Sequence, residues 1–330
     1  MRKMEKSRAL MWLFCLFLMY FFIQTPEISQ AQEKYPTRTI KLLVPMAAGG
    51  ATDVILRKLA DSVGKSLGQE IIVENKPGAG GGLAASLLAK AKPDGYTIGG
   101  VTSSQFVVQP FFTKMDLDPL TDLTPIVQVW STCAFIAVAM DSPIKTFEDF
   151  IEEGRKRQLI VGVTGMVIGD IALERLAVLA KLKLKLVPFG GTSQLIAPLL
   201  GKKVDLIEVG ALHEYVRAGK VRLLARLNEE ATSELKAIPH LKQFGYDINA
   251  PGFIGVFGPK GLPRPIQAKL EEGFTPVVND PSTTEFIISF GNVPTYKNSK
   301  DFGNQLKESH ERAREMIKEL GLGIYAKEKK

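Results

Sequence analysis

Two glycine turns fix the places where this chain must change from strand to helix. They lie in residues 40–53 and 185–193, and both have the order apolar strand, proline, Gly-Gly and hydroxyl residue. In the first, Gly49-Gly50 allows the backbone to turn, and Thr52 or Asp53 is predicted to cap the next helix. A helix start carries unpaired N–H groups and the positive end of the helix dipole. Each turn is therefore either a place where an anion can bind or only a helix cap. For a single turn the cap is the favoured interpretation, whereas two such turns suggest a two-sided clamp.

Strand and helix patterns alternate along most of the chain, which predicts an α/β fold with parallel strands. The length of 330 residues favours roughly two domains. The predicted strands are residues 39–44, 70–74, 96–101, 159–163, 183–187, 204–209, 221–226 and 253–257. The predicted helices are 53–67, 83–91, 265–278 and 300–320, and residues 165–181 are predicted as a glycine turn followed by a helix. A long apolar stretch covers residues 127–140, and Thr146 is predicted to open a helix with an acidic first turn.

The N-terminus has the pattern of a secretory signal. Basic residues precede an unbroken apolar run at residues 9–23, which is shorter than the roughly 20 residues of a membrane-spanning helix. Ser29-Gln30-Ala31 then provides a small-x-small cleavage site, so we expect a signal peptide at residues 1–31 and a periplasmic protein. An uncleaved N-terminal anchor is the alternative. Only Cys133 remains after cleavage, which excludes an internal disulfide.

Composition and motifs argue against the common enzyme classes and against nucleic-acid binding. The chain is 45% hydrophobic and 23% charged, with a net charge of +7, as in many globular proteins. Lys181, Lys183 and Lys185 alternate with leucines, which indicates one solvated strand face rather than a nucleic-acid patch. The three histidines have no partners at metal-ligand spacing, and the chain lacks a Gly-x-Ser-x-Gly elbow and a P-loop. We expect no metal and no cofactor.

One dinucleotide-like match, Gly80-x-Gly82-x-x-Ala85, comes before a predicted helix. Residues 75–79 separate these glycines from the preceding strand, whereas a pyrophosphate site needs a tight turn from strand to helix. The preferred interpretation is a loop whose small residues let the helix pack closely.

A set of short motifs closely resembles the Bug family, the periplasmic solute-binding receptors of tripartite tricarboxylate transporters. The resemblance covers nearly all of residues 35–320. The motifs are Tyr35-Pro36-x-Arg38-x-Ile40-x-Leu42-x-Val44-Pro45, Gly49-Gly50-x-Thr52-Asp53, and residues 73–81, 92–97, 122–126, 187–192, 199–205, 218–222 and 258–263.

The resemblance implies an α/β fold of the type II periplasmic-binding-protein class, in which two lobes, each with a central sheet flanked by helices, close on a small carboxylate. Lobe 1 is expected at residues 35–132 and 252–330, and lobe 2 at residues 133–251. By matching position, the ligand-binding residues are Ala47, Ala48, Gly49, Gly50, Thr52, Asp53, Thr102 and Ser103 in lobe 1, and Thr164, Gly165, Met166, Gly190, Gly191 and Thr192 in lobe 2. Asp53 is favoured as a helix cap rather than a ligand contact, because its charge repels a carboxylate.

The chain departs from the family pattern in residues 164–170, which are apolar where small polar residues are expected. Phe106, Met166, Val167 and Ile168 are therefore predicted to form an apolar wall. We expect a less polar carboxylate than citrate, with an aromatic or branched body.

The function that this resemblance implies is ligand capture without catalysis, by a monomer that delivers the carboxylate to membrane permease subunits. Two alternatives remain open at this point. One is a receptor that senses its ligand for signalling without transport, and the other is an exported α/β enzyme.

Overall fold

A computed structural model describes residues 35–165, 167–189, 192–210 and 212–326, with the side chains of Thr192, Ser193 and His213 left out of the description. The chain divides into a short unit, Met1–Thr37, and a main unit, Arg38–Lys330. The predicted signal peptide lies outside the described residues. In the described part of the chain, no helix is both long and apolar enough to cross a membrane.

The main unit contains two separate β-sheets. Its strands are β1 (Ile40–Val44), β2 (Ile71–Asn75), β3 (Thr97–Thr102), β4 (Leu123–Thr132), β5 (Phe135–Ala139), β6 (Leu159–Val163), β7 (Leu184–Pro188), β8 (Leu206–Val209), β9 (Val221–Arg226), β10 (Gly252–Pro259) and β11 (Asn292–Lys297). The first sheet has six strands in the order β11-β4-β10-β3-β1-β2, and the second has five in the order β7-β6-β8-β5-β9. The predicted α/β class is confirmed.

Helices separate most of these strands. They are α1 (Ala51–Leu67), α2 (Gly82–Ala89), α3 (Ser104–Val107), α4 (Gln109–Phe112), α5 (Pro119–Asp122), α6 (Phe147–Lys156), α7 (Ile168–Ala180), α8 (Thr192–Leu200), α9 (His213–Arg217), α10 (Arg264–Val278), α11 (Pro281–Ser289) and α12 (Ser299–Leu320). Short 3-10 turns occur at Ala79–Gly81, Leu235–Ala237, Leu241–Phe244 and Gly323–Tyr325.

The expectation of parallel strands is correct for only part of each sheet. Strands β1, β2 and β3 are parallel, as are β6, β7 and β8. In contrast, β10, with which the chain returns to the first sheet, runs antiparallel to both β3 and β4. In the second sheet β5 is antiparallel to β8 and β9. Both sheets are therefore mixed.

Local signals account for several element boundaries. Helix α6 begins with the predicted cap, in which Thr146 and Asp149 exchange hydrogen bonds with each other's backbone amides. Sequence reasoning missed α11, although its start carries a recognisable signal. There Asp280 accepts hydrogen bonds from the amides of Ser282 and Thr283, and Pro281 occupies the first helical turn.

Apolar packing joins the two sheets to the helices around them. One core cluster includes Phe106 and Phe257 near the first sheet, and Val161 and Leu173 near the second. The long helix α12 packs against β4 and also against α7. An ion pair of 3.2 Å between Arg175 and Glu319 joins α7 to the end of α12. Burial of these side chains dominates the stability of such a fold.

Candidate functional site

The first glycine turn leaves β1 and enters α1. Gly49 has φ of +83°, which is a left-handed conformation, whereas Gly50 has φ of −75°. Only Gly49 therefore needs glycine for its backbone geometry. Residues Ala47, Ala48, Gly49 and Gly50 are exposed. The amides of Ala47 and Ala48 have no acceptor among the described residues, and both remain able to donate to an anion.

Asp53 ties the turn together. Its carboxylate accepts a hydrogen bond of 2.8 Å from the Gly49 amide and one of 2.8 Å from Asn75 Nδ2, and it forms an ion pair of 3.1 Å with Arg57. Asn75 also donates to the Met46 carbonyl oxygen at 3.0 Å. The carboxylate is 2% exposed, so its charge is compensated inside the protein rather than by solvent.

The Asp53 environment favours the ionised form. Burial by itself raises the pKa of Asp53, but the hydrogen bonds from Asn75, the Gly49 amide and Arg57 together lower that pKa below its usual value. The prediction that Thr52 or Asp53 caps the helix is wrong, because α1 starts at Ala51 and Gly50 is its cap. The Asp53 carboxylate instead accepts a hydrogen bond from the Gly49 amide, four residues earlier in the chain. That amide was expected from the sequence to be free for a ligand.

The end of β3 lies at the same edge of the first sheet, because β3 is parallel to β1. The amide and the hydroxyl of Thr102, a predicted contact residue, both donate hydrogen bonds to Gln105 Oε1. Both donors are therefore used within the protein. The Ser103 amide donates to the Phe253 carbonyl oxygen at 2.9 Å. The Ser103 hydroxyl has no partner within the described ranges and is half-buried. Ser103 is thus the freer donor of the two.

A third segment, Gly78–Gly82, borders this edge, and sequence reasoning assigned it only a packing role. Gln105 Nε2 donates to the Gly80 carbonyl oxygen at 2.7 Å, and Gln109 Nε2 donates to that of Ala79 at 2.9 Å. A Cβ at Gly81 would lie 3.2 Å from the Pro45 side chain. The segment therefore packs directly against the first glycine turn. Its sequence signals were the cluster of glycines and the family motif at residues 73–81.

The second lobe brings two predicted segments together. Strands β6 and β7 are parallel, with Val163 paired to Pro188, and the Phe189 amide donates to the Val163 carbonyl oxygen at 2.8 Å. Gly165 has φ of +87°, and a Cβ there would lie 3.4 Å from Pro188. Thr164 and Gly165 thus lie beside Pro188 and Phe189, the last described residues before the second pair of glycines. Of the other predicted residues, Met166, Gly190 and Gly191 lie outside the described residues, and Thr192 is described only as the start of α8.

The predicted apolar wall is wrong for two of its four members. Phe106 is fully buried and stacks on Phe257 with ring centroids 5.3 Å apart. Ile168 is also buried in the core. Helical packing turns both side chains inward, which the linear sequence does not show. Val167 is half-buried, and Met166 lies outside the described residues.

Sequence reasoning also missed two acidic side chains behind the second-lobe segment. Asp170 and Glu208 are buried and in contact, and Asp170 accepts a hydrogen bond of 3.2 Å from the Val167 amide. Among the described residues, no three His, Cys, Asp or Glu side chains lie together as a metal site.

Comparison with known proteins identifies the family to which the chain belongs. The family model of the tripartite tricarboxylate transporter family receptor matches residues 55–322. The chain belongs to this family. Its members are periplasmic solute-binding receptors, and the Bug-type resemblance in the sequence is confirmed.

Relatives of known sequence or structure agree with this membership. A UPF0065 protein of Cupriavidus necator, from the gbd 5′ region, is 34% identical over 299 residues, which cover 89% of this chain and 91% of the relative. The crystal structure of a TctC solute-binding protein from Polaromonas has a TM-score of 0.76 and 28% identity, covering 86% of this chain and 99% of that one. The two-lobe receptor fold is confirmed.

Two further receptor structures contain bound carboxylates. Rpa4515 of R. palustris with adipate has a TM-score of 0.77 and 25% identity, covering 88% of this chain and 99% of that one. MatC of Rhodopseudomonas palustris with bound malate has a TM-score of 0.72 and 26% identity, covering 86% of this chain and 100% of that one. Family members thus include receptors for carboxylates.

Proposed function

We propose that this receptor captures a small carboxylate between its two lobes and delivers it to the membrane permease of a tripartite transporter. The observation that carries the proposal is the first glycine turn. There Ala47 and Ala48 present exposed amides without acceptors in the described part of the chain, while Arg57 and Asn75 compensate the nearby Asp53 charge. A carboxylate can then accept hydrogen bonds without facing an uncompensated negative group.

The proposed ligand contacts are among the residues expected from the sequence, but not every expected residue has a free donor. The amides at residues 47 and 48 and the hydroxyls of Thr52 and Ser103 form the first-lobe side, and Thr164 and Gly165 lie on the second-lobe side. The composition of the two sheets supports lobes at residues 35–132 plus 252–330 and residues 133–251. Gly190, Gly191, Thr192 and Met166 complete the second-lobe side of the proposal.

The mechanism is closure rather than chemistry. A carboxylate that contacts both lobes binds the closed form more tightly than the open form, and it shifts the equilibrium by that difference in affinity. Adipate and malate in two related receptors support a carboxylate ligand. We further propose that the ligand has an apolar body. Of the described members of the predicted apolar wall, the half-buried Val167 supports this proposal, because Phe106 and Ile168 belong to the core. The protein acts as a monomer after cleavage near Ala31, without catalysis.

A thermal-shift and calorimetry screen of the chain from Gln32 onwards tests this function. The probes are adipate, malate, citrate, isovalerate, benzoate and the uncharged adipamide. A ligand at about 100 times its Kd adds about 2.7 kcal/mol to the free energy of unfolding. At least one carboxylate should give saturable stabilisation and be recovered unchanged, and adipamide should give none.

Four results would contradict parts of the proposal. Equal stabilisation by adipate and adipamide contradicts carboxylate recognition, and conversion of the bound ligand contradicts the receptor role. Strong stabilisation by citrate with none by isovalerate or benzoate contradicts the apolar body. Co-purification with a sensor kinase in place of a permease contradicts the transport role.

A further inference from the structure

Two buried carboxyl groups meet where helix α7 begins against strand β8. Asp170 is 7% exposed and Glu208 is 2% exposed, and they belong to the third position of the helix and the third position of the strand. Gly169 makes this contact possible, because a Cβ at that position would collide with the Glu208 carboxyl group. The pair therefore lies directly behind the second-lobe segment that contains Gly165.

Each carboxyl group has a buried oxygen without a donor. Asp170 Oδ1 and Glu208 Oε2 receive no hydrogen bond from another N–H or O–H group in the described ranges. Two carboxylates in contact within a buried site cannot both ionise at moderate cost. A proton on one of them supplies the missing donor for the other, so the geometry requires a carboxylic acid here.

The other contacts indicate which group carries the proton. Asp170 accepts a hydrogen bond of 3.2 Å from the Val167 amide. Amide donors stabilise an ionised acceptor, and the start of a helix does the same. Glu208 has no such donors within the described part of the chain. Burial raises the pKa of Glu208 well above its usual value, and the Asp170 charge raises it further.

The surrounding charges do not supply a cation for the pair. Glu174, one turn further along α7, adds negative charge, and its own pKa is raised by burial and then by Asp170. Arg175 on the same helix pairs with Glu319 of α12. Lys185 on β7 is exposed to solvent, and β6 contains no charged residue. In the described residues these neighbouring elements therefore place no cation against the pair, and a proton on one carboxyl group takes that role.

We propose that Glu208 is a neutral acid that donates its proton in a hydrogen bond to Asp170, and so positions Asp170 to hold the amide of Val167. Glu208 is thus a positioning residue for the second-lobe side of the site. The importance of this side for ligand binding rests on the proposed function, whereas the proton and the positioning do not.

Three variants of the ligand-free protein test the inference. Glu208→Gln keeps a neutral donor of the same shape, Glu208→Leu removes the donor, and Glu152→Gln changes an exposed glutamate of α6 as a matched control. Infrared spectra at pH 7 should contain a protonated-carboxyl C=O stretch that disappears in Glu208→Gln and Glu208→Leu and persists in Glu152→Gln. Its presence unchanged in Glu208→Gln would overturn the proton assignment.

Hydrogen exchange at the amide of Val167 measures the positioning. Glu208→Gln should exchange at nearly the wild-type rate, whereas Glu208→Leu should exchange faster by about tenfold or more, the effect of losing one hydrogen bond to a charged group. Wild-type exchange in a folded Glu208→Leu protein would overturn the positioning role. If Glu208→Leu does not fold, slow exchange in Glu208→Gln supports the proposal and fast exchange contradicts it.

The pH dependence of unfolding gives an independent readout. A carboxyl group whose pKa is higher in the folded state than in the unfolded state stabilises the protein below its unfolded pKa, and that stabilisation is lost as the pH rises towards the folded pKa. Glu208→Gln should therefore become more stable relative to the wild type as the pH rises from about 4 to 8. Parallel pH profiles would mean that Glu208 is ionised, against the proposal.

Discussion

The carboxylate of Asp53 accepts a hydrogen bond of 2.8 Å from the amide of Gly49, four residues earlier in the chain. This bond closes the first glycine turn from the helix side. It also removes the Gly49 amide from the set of free donors and leaves those of Ala47 and Ala48. Asp53 therefore stabilises the turn beside the proposed carboxylate site, and Arg57 and Asn75 compensate its negative charge.

The two glycines of this turn should respond differently to alanine. Gly49→Ala should lower the free energy of unfolding by about 1–2 kcal/mol, because φ of +83° is unfavourable for a residue with a Cβ. Gly50→Ala should cost less than about 0.5 kcal/mol, since its φ is −75° and its Cβ would make an ordinary contact with the Ala47 carbonyl oxygen. Urea unfolding measures both variants. Equal losses in the free energy of unfolding would contradict the conclusion that only Gly49 needs to be glycine.

Asp53→Asn should destabilise the protein at neutral pH by about 1–3 kcal/mol, because a buried hydrogen-bonded charge and its ion pair are lost. The pKa of Asp53 is lowered in the folded protein, so its stabilisation is present above the unfolded pKa and is lost as the pH falls. The difference from the wild type should shrink below about pH 4. The exposed Asp61→Asn on the same helix is the control, and similar effects of both variants would refute the role of Asp53.

Asn228 is a candidate anchor for the two connections between the sheets. It is fully buried, accepts from the Ala134 amide at 3.0 Å, and donates to the carbonyl oxygens of Thr132 and Glu230 at 3.2 and 2.9 Å. Asn228→Ala should therefore lower the free energy of unfolding by about 2–4 kcal/mol. In urea unfolding the half-buried Asn249→Ala should cost less than about 1 kcal/mol. A cost for Asn228→Ala no larger than that for Asn249→Ala would exclude an anchoring role.

Cys133 should be unreactive in the folded protein. Burial raises the pKa of its thiol to about 11, so the nucleophilic thiolate is scarce at pH 8. In the chain from Gln32 onwards, a thiol-specific chromogenic disulfide should label Cys133 slowly in buffer and rapidly in denaturing urea. Rapid labelling of the folded protein would show that the β4–β5 connection opens readily.

Much of the first lobe was predictable because its signals are local. The strand at Ile40–Val44, the turn at Gly49 and the helix that ends at Gly68 depend on residues within a few positions of one another. The family motifs then identified the fold. The predicted capping role of Asp53 was wrong because α1 already begins at Ala51, with Gly50 as its cap. The hydrogen bond from Asn75 of β2 to Asp53 joins distant segments, and no local pattern reveals that contact.

The sequence by itself determined the α/β class and the positions of most strands and of the longer helices, since periodicity and turn residues act over short distances. Its short motifs, by their resemblance to known members, indicated the receptor family. Tertiary structure alone decided which strands run antiparallel, which amides remain free, and that Phe106 belongs to the core. It also brought Asp170 and Glu208 together from a helix and a separate strand. Such contacts depend on how distant segments pack, and packing sets both the burial of a charge and the need for a shared proton.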